Sequence, residues 1–450
     1  MNTDDLESTA ERALARVIPA LQEFVGVASI SARGELLEEG AALCAQLLRQ
    51  AGLTVETWRG RGAPVVYAWR EPPPSAPTIL FYGHYDVQPP EPLDAWQSPP
   101  FEGVLREGAI YGRGAGDNKG QLLAHIAAVQ TLIETGRLGV GVKFLVEGEE
   151  EIGSPHLAQV ASEHRQQLTA DLALTSDAPV HDDDQAVIIF GVRGLLYLQL
   201  DVRGADRDLH SGNRGGLAPT PAWDLVHALS SLRDEAGHVL VPGFYDPVRE
   251  PTPEEAAMLR QLPFDRDRML EELGLDRLPG RSEHHPWEFL MFRPTFNISG
   301  LRSGYGGPGA KTIVPCQASC KLDIRLVADQ RPDSVLAALR EHLARHDPRV
   351  QVTEIAAVPP SATAPDTPLA APVIEAVTRA TGTRPWLRPR LGGTTPDYVF
   401  TEVLGMPSLL VPYGPPDMNH HAPNEKMTLR ALRRGIACSL EICAQLAGWS

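Results

Sequence analysis

The feature that most constrains this chain is a set of short apolar runs, separated by stretches with helical periodicity. Four of these runs predict buried strands: PTILFYG, GVKFLVEG, DLALTSD and PSLLVPYG. The segment KGQLLAHIAAVQTLIETG, between the first two, predicts a helix that ends at a glycine. Apolar strands that alternate with helices indicate an α/β fold, in which helices cover a central, mostly parallel sheet.

The middle of the chain has a different pattern. From about Leu195, LYLQLDVRG alternates like a half-exposed antiparallel strand and begins a strand–helix–strand–strand–helix–strand order, which is the ferredoxin-like α+β arrangement. A stretch rich in proline and charge, about Tyr245 to Trp287, interrupts that order and predicts helices and loops outside the sheet. The sequence therefore predicts a discontinuous main domain, residues 1–193 and 359–450, with an inserted domain of residues 194–358.

Composition excludes several classes of protein. A formal net charge of −16 and a pI near 5.4 argue against a nucleic-acid partner, because binding phosphates requires a basic face. The chain has no apolar run of the ~18 residues that span a membrane, and its first 25 residues predict an amphipathic helix rather than a signal peptide. The five cysteines lack zinc-finger spacing, which favours free thiols in a reducing cytoplasm.

Acidic and histidine side chains follow each predicted strand of the main domain. His84 follows TILFYG, the run Glu149–Glu151 follows KFLVEG, Asp177 follows DLALTS, and the pair His420–His421 lies shortly after the last strand. Carboxyl ends of strands are where sites form in α/β sheets. A lone His-x-Asp pair such as His84 and Asp86 is also typical of a buried structural histidine. Four strand ends that all carry histidine, aspartate or glutamate are not explained in that way.

A glycine-rich turn, YGRGAGDNKG, places Asp117 just before the predicted helix. The spacing of Gly112, Gly114 and Gly116 fits neither the dinucleotide-binding nor the Walker motif, because Lys119 follows Asn118 rather than a glycine. The glycines instead allow the backbone to bend so that Asp117 points into the cleft.

Two histidines and several carboxylates suit two divalent ions that lie close together. Imidazole and carboxylate ligands fit Zn²⁺, Mn²⁺ or Co²⁺. A bridging carboxylate would hold the ions ~3.5–4 Å apart, and a water between them would become hydroxide near neutral pH. Glu150, beside Glu151, offers the further carboxylate that a general base requires. The set predicts hydrolysis of an amide bond.

These residues, in this order, resemble the M20 family of dinuclear metallopeptidases, which includes cytosolic dipeptidases, carboxypeptidase G and the acetylornithine and succinyl-diaminopimelate deacylases. The resemblance runs from about Leu21 to Ala447 and is closest to the dipeptidase, or carnosinase-like, branch. The motifs that carry it are YGHYDVQPPEPLDAWQSPPFEGVLREGAIYGRGAGDNKG, EGEEEIGS, DLHSG, GAKTIVP, LDIRLV, GGTTP and HAPNEK.

The resemblance implies a role for each site residue. Its Glu-Glu-x-Gly-Ser pattern fits Glu150 to Ser154, and its spacing to Glu425 selects the second of the two adjacent histidines. The implied metal ligands are His84 and Asp177 for one ion, Glu151 and His421 for the other, and Asp117 as the bridge. Glu150 is then the general base and Asp86 the residue that orients His84, while Glu149 and His420 give local support.

The resemblance also implies a homodimer, in which the inserted domain lends residues to the partner's site. His210 matches a histidine that crosses the dimer to stabilise the oxyanion. Arg325 matches an arginine that binds a substrate carboxylate, and Thr312 and Thr394 match positions that hydrogen-bond the substrate's polar end. One departure is Leu391, where many dipeptidase relatives have a glutamate, and it puts in doubt a carboxylate site for a free substrate amino group.

The sequence thus predicts a cytoplasmic, homodimeric hydrolase with two divalent ions per subunit, zinc before manganese or cobalt. Its expected substrate is a dipeptide or small peptide, with an N-acyl amino acid, cleaved by a deacylase of the same family, as the alternative. From other classes, a non-catalytic dimeric scaffold would not need the complete ligand set and base. A two-metal phosphohydrolase would need a basic cluster for the phosphate, which the sequence does not place beside the carboxylates.

Overall fold

The protein is described by a computed structural model that covers residues 3–277 and 285–449. Its helices are α1 (Thr3–Val25), α2 (Leu37–Gln50), α3 (Gln121–Glu134), α4 (Leu157–Glu163), α5 (Arg165–Leu168), α6 (Ser211–Arg214), α7 (Pro221–Leu232), α8 (Pro253–Gln261), α9 (Arg266–Leu273), α10 (Pro286–Phe292), α11 (Pro332–His346), α12 (Ala370–Thr381) and α13 (Leu429–Ala447).

Its strands are β1 (Thr54–Trp58), β2 (Val65–Arg70), β3 (Thr78–His84), β4 (Val104–Arg106), β5 (Ala109–Tyr111), β6 (Gly141–Glu147), β7 (Leu172–Thr175), β8 (Val187–Ile189), β9 (Gly191–Val192), β10 (Gly194–Arg203), β11 (Leu209–His210), β12 (Thr295–Ser303), β13 (Ile313–Val314), β14 (Gln317–Leu326), β15 (Gln351–Val358), β16 (Ser361–Ala362), β17 (Trp386–Arg388), β18 (Ser408–Leu410) and β19 (Lys426–Thr428).

The main sheet contains eight strands in the order β1–β2–β6–β3–β7–β18–β8–β17. Its centre, β6–β3–β7–β18, is parallel throughout and consists of the four strands that the apolar runs predict. Antiparallel pairings lie outside this block, between β1 and β2, β2 and β6, and β18 and β8. The predicted α/β architecture is confirmed, with a sheet that is parallel at its centre and mixed towards its edges.

The side chains of β3 alternate between two apolar cores, because successive strand residues point to opposite faces of a sheet. Ile79 and Phe81 pack in the larger core with helices α1, α2, α3, α12 and α13. Leu80 and Tyr82 pack in a smaller core with α4 and the segment Val399–Leu404. Since helices cover both faces, polar groups are left to the ends of the strands.

A second sheet, β12–β14–β10–β15, is antiparallel throughout and has an apolar core of its own beneath α7 and α11. In chain order its elements are β10, α7, β12, β14, α11 and β15, which is the predicted order. In the stretch from Tyr245 to Trp287, α8, α9 and the start of α10 lie outside the sheet, and residues 278–284 lie outside the described residues. The boundaries of the inserted domain stay a prediction.

The N-terminal segment forms the predicted amphipathic helix, α1, which buries Leu14, Val17, Leu21 and Phe24 against the larger core. The five cysteines are free thiols, and all except Cys316 are buried. Within residues 3–277 and 285–449, no helix has the length and apolar character needed to cross a membrane.

Candidate metal centre

The carboxyl ends of the central strands, with the turns that follow them, carry four of the predicted site residues. β3 ends at His84, whose register partner is Glu147 at the end of β6. A single turn, Glu150–Ile152, follows β6, and Asp177 comes two residues after the end of β7. Because β6, β3 and β7 are parallel neighbours, their carboxyl ends meet at one edge of the sheet.

Asp117 reaches the same edge from the glycine-rich turn before α3. Gly114 adopts a φ of +85°, in the left-handed region that favours glycine. A Cβ at Gly116 would lie 2.4 Å from the side chain of Met418, so this position cannot carry a larger residue without a shift of its neighbours. These glycines therefore allow the close turn that presents Asp117, and the peptide bond between Asp117 and Asn118 is cis.

The Asp117 carboxylate lies between two groups of metal-binding atoms. Its Oδ1 is 3.1 Å from His84 Nε2, and Asp177 Oδ2 lies 3.8 Å from the same nitrogen. Its Oδ2 is 3.2 Å from His421 Nε2, which in turn is 3.1 Å from Glu151 Oε2. Within each group the candidate ligand atoms lie within 4.8 Å of one another. Two groups that share one carboxylate have the arrangement of a two-metal site.

The donor set fits two divalent cations. Each group offers one imidazole nitrogen and two carboxylate oxygens, which are donors that Zn²⁺, Mn²⁺ and Co²⁺ accept. Three protein ligands per ion also match the pattern of catalytic sites, which keep a coordination position for water or substrate. Imidazole and carboxylate donors alone do not select among these metals.

Electrostatics at this edge of the sheet favour bound cations. Hydrogen bonds with Asp117 and Glu151 raise the pKa of His421 to about 10. Burial, together with the charge of Asp117, raises the pKa of Asp177 to about 6. Burial and the charges of Asp177 and Glu151 raise the pKa of Glu150 well above its usual range, against the opposing effect of His84. Cations at the two groups would relieve the repulsion among these carboxylates.

Asp86 is fully buried and contacts both His84 and the turn that carries Glu150 and Glu151. Its backbone oxygen lies 3.1 Å from His84 Nδ1, and its carboxylate Oδ1 lies 3.4 Å from that nitrogen. The carboxylate also accepts the backbone N–H groups of Glu150, at 3.2 Å, and Glu151, at 3.1 Å. Asp86 therefore contacts the histidine, as the sequence predicts, and in addition fixes the turn that carries the two glutamates.

Sequence reasoning missed the support that Glu425 gives to Asp117. One oxygen of the fully buried Glu425 carboxylate accepts the backbone N–H groups of Gly116 and Asp117, each at 3.0 Å. Its other oxygen accepts from Arg113 Nη1 at 2.6 Å. Glu425 and Arg113 lie within the HAPNEK and YGRGAGDNKG motifs, so their position in two site motifs was the available signal.

Of the three consecutive glutamates, Glu149 and Glu151 have different side-chain partners. Glu149 Oε2 lies 2.7 Å from His156 Nδ1. Glu151 faces His421 and also accepts from Gln88 Nε2 at 2.9 Å. Glu149 therefore lies outside both candidate ligand groups, which agrees with its predicted supporting place.

The remaining predicted residues form two pairs apart from the ligand groups. Exposed His210 lies on the β11–β13 ribbon, where the backbone N–H of the next residue donates to the oxygen of Thr312 at 3.1 Å. Arg325 on β14 donates from Nη1 to Thr394 Oγ1 at 2.9 Å. Leu391 packs beside a small apolar cluster of Val187, Ile189, Val192 and Leu410.

A helix-covered α/β sheet with two histidine–carboxylate groups around a shared aspartate defines the class of metal-dependent hydrolases. Within that class, the model of peptidase family M20/M25/M40 matches residues 80–445. The chain therefore belongs to this family and is a metallopeptidase, which confirms the resemblance found in its motifs.

Two curated proteins with similar sequences are named as dipeptidases. The chain is 35% identical over 283 residues to Beta-Ala-His dipeptidase of Rattus norvegicus, covering 62% of this chain and 58% of that protein. It is 33% identical over 290 residues to Cys-Gly metallodipeptidase dug1 of Schizosaccharomyces pombe, covering 63% of this chain and 60% of that protein. The matched region thus spans about three fifths of each of these two relatives.

The solved structure of an M20 family metallo-carboxypeptidase, Sso-CP2 from Sulfolobus solfataricus, is similar over nearly the whole molecule. It has a TM-score of 0.90 and 34% sequence identity, and the match covers 96% of this chain and 99% of that chain. The similarity therefore includes the main sheet, the second sheet and the connections between them.

Proposed function

We propose that this protein hydrolyses the peptide bond of dipeptides, using two divalent cations and a glutamate general base. The observation that carries the proposal is the Asp117 carboxylate, whose two oxygens face His84 and His421 at 3.1 and 3.2 Å. The relatives named as Beta-Ala-His and Cys-Gly dipeptidases support a dipeptide as the substrate.

The proposed metal ligands are His84 and Asp177 for one cation, Glu151 and His421 for the other, and Asp117 between them. Zinc is the proposed metal, with manganese and cobalt as alternatives, because the same donors bind all three. When bound, the cations polarise the scissile carbonyl and lower the pKa of water.

Glu150 is the proposed general base. It lies beside the ligand Glu151, and its backbone N–H is held by Asp86 Oδ1 at 3.2 Å. From this position it accepts a proton from the attacking water and passes it to the leaving nitrogen, as a carboxylate near both atoms can do. Glu151 stays a proposed ligand because its carboxylate faces His421 at 3.1 Å, and His84 stays one because its Nε2 faces Asp117 at 3.1 Å.

Arg325 and Thr394 are the proposed binding site for the substrate's carboxylate. Asp323 orients the guanidinium by accepting from Arg325 Nε at 3.1 Å and Nη2 at 3.3 Å, while Nη1 contacts Thr394. A guanidinium held in this way suits a planar carboxylate. Dipeptides, peptide C-termini and N-acyl amino acids all present that group, so carboxypeptidase and deacylase activities are the alternatives. The likeness to a metallo-carboxypeptidase favours the first of these.

His210 is proposed to act across a homodimer, where it would stabilise the oxyanion in the partner subunit's site, and Thr312 is proposed to hydrogen-bond the substrate's polar end. The exposure of His210 on the two-stranded β11–β13 ribbon supports its cross-dimer role, because an exposed histidine there is accessible to another subunit. A cytoplasmic location stays a prediction from the sequence.

The test of the proposed function is hydrolysis of a panel of substrates by enzyme loaded with zinc, manganese or cobalt. The panel contains β-alanyl-histidine, cysteinyl-glycine, longer peptides and N-acyl amino acids. Glu150→Ala should abolish turnover while both metals are retained, as measured by elemental analysis. Glu149→Ala is the matched control, because Glu149 pairs with His156 at 2.7 Å outside the ligand groups and should leave turnover intact. Normal turnover by Glu150→Ala would exclude it as the base.

A further inference from the structure

A buried ion pair joins α8 to the loop that carries Thr394. Glu255 and Arg390 each have only 2% of their side chains exposed, and Arg390 Nη2 donates to Glu255 Oε1 at 2.8 Å. Their separation of 135 positions makes this a contact between distant parts of the chain. Apolar residues of similar size would often make the fold as stable at such a place, so stability alone does not account for a buried ion pair here.

The Glu255 carboxylate is held by several donors at once. Arg249 donates from Nη1 to Oε2 at 2.6 Å and from Nη2 to Oε1 at 2.9 Å, and the Thr252 backbone N–H donates to Oε2 at 2.9 Å. The guanidinium of Arg390 also lies 5.7 Å from the ring centroid of Phe292. Because each group has several partners, neither the carboxylate nor the guanidinium can turn without breaking more than one contact.

The segment from Arg390 to Thr394 is fastened to the main domain on its other side. The Leu391 backbone N–H donates to the Gly191 oxygen at 2.8 Å. Arg193 Nε donates to the oxygen of the following residue, Gly392, at 2.8 Å. The loop is thus held between the β9 region on one side and helices α8 and α10 on the other, and Thr394 follows the held segment.

Both halves of the proposed carboxylate-binding site lie four residues from this network. Thr394 is four positions after Arg390 in the sequence, and Arg325 is four positions before Asp329. Asp329 Oδ2 lies 3.4 Å from Arg249 Nε, although it is 62% exposed and therefore contributes less than the buried pair. The sequence of contacts from Arg390 through Glu255 and Arg249 to Asp329 therefore spans the two segments that bring Arg325 and Thr394 to 2.9 Å.

We propose that Glu255 and Arg390 are positioning residues that set the distance between Thr394 and Arg325, and hence the affinity for substrates with a free carboxylate. This inference rests on the proposed function, because it concerns the site proposed for the substrate's carboxylate. Neither residue contacts the metal ligands, so the effect belongs to KM rather than to kcat.

The experiment compares a dipeptide with its C-terminal amide in metal-loaded enzyme. Glu255→Gln and Arg390→Met should each raise KM for the free dipeptide about tenfold, with kcat and KM for the amide unchanged. In a Thr394→Val background the same substitutions should add nothing further to KM, because they act through Thr394. Glu250→Gln is the matched control, since Glu250 lies in the same stretch and pairs with Arg293 at 2.6 Å. Arg325→Ala is the reference for loss of the carboxylate contact.

Each outcome decides the question. Equal effects on the dipeptide and the amide, or additive effects with Thr394→Val, would show that the pair has only a general structural role. If Arg325→Ala discriminates between the two substrates and neither Glu255→Gln nor Arg390→Met does, this inference fails while the proposed function stands. If Arg325→Ala does not discriminate, the proposed carboxylate-binding site and this inference fail together. Thermal unfolding of each variant identifies any that does not fold, and the other variant then decides.

Discussion

Asp86→Asn is the substitution that most directly tests how this site is held. The wild-type carboxylate accepts backbone N–H groups from Glu150 and Glu151 at 3.2 and 3.1 Å, and it is fully buried. An asparagine has one acceptor oxygen and one NH₂ group, so one of these N–H groups must face a donor. Leaving a buried donor without its partner costs about 2 kcal/mol. Because supporting residues of this kind tune metal ligands, metal affinity should also fall about 10–100-fold.

The assay is titration of metal-depleted protein with zinc by calorimetry, followed by kcat at saturating zinc and by urea unfolding. Asp171→Asn is the matched control, since Asp171 accepts a backbone N–H from Thr78 at 2.7 Å at the opposite end of β3. It should change stability without changing zinc affinity. If the zinc affinity of Asp86→Asn is within threefold of the wild type and kcat is unchanged, Asp86 does not fix the turn that carries Glu150 and Glu151.

The remaining predictions concern three other residues. His210→Ala should lower kcat by ~10²-fold or more with the dimer retained in size-exclusion chromatography, and normal kcat would exclude an oxyanion role. Glu425→Gln should lower the free energy of unfolding by ~3–5 kcal/mol, because it leaves the buried guanidinium of Arg113 without its charge partner; an unchanged urea midpoint would contradict this. Burial lowers the pKa of His125 to about 3, so between pH 6.5 and 3 the unfolded chain binds more protons than the folded one. The free energy of unfolding should therefore fall by about 2 kcal/mol from pH 7 to pH 5. His125→Gln should remove this part of the pH dependence, as measured by urea unfolding at each pH.

The parts of the fold that the sequence predicts are those with a local signal. The strands β3, β6, β7 and β18 are apolar runs beside turn residues, and they form the parallel centre of the sheet. In contrast, β8 and β17 have three residues each, too few for a periodicity to be read. Their place in the sheet depends on packing between segments about two hundred residues apart in sequence, which no local pattern contains.

The candidate site likewise contains residues that a local sequence signal marks and contacts that no local signal marks. His84, Asp177 and Asp117 could be predicted because a strand end or a glycine turn marks each of them. Asp86 could also be predicted, from its spacing to His84, and the motif positions of Arg113 and Glu425 mark them as site residues. Their pairing could not be predicted, nor that of Glu255 with Arg390, because the partners are 312 and 135 positions apart. A buried arginine or glutamate has the same appearance in a sequence as a surface one, and only its distant partner shows that it is buried.

The supporting carboxylates show a common principle in how this site is built. Of the candidate ligands, His84 is the last residue of β3 and Asp177 comes two residues after β7, whereas Asp117 and Glu151 lie on turns, which move more easily than strands. The two turns are fixed by buried carboxylates that accept backbone N–H groups, Glu425 for the first and Asp86 for the second. A backbone N–H fixes the main chain and leaves the side chain free for a metal. This division explains why Asp86 and Glu425, which are buried beside the candidate ligands, face main-chain amides.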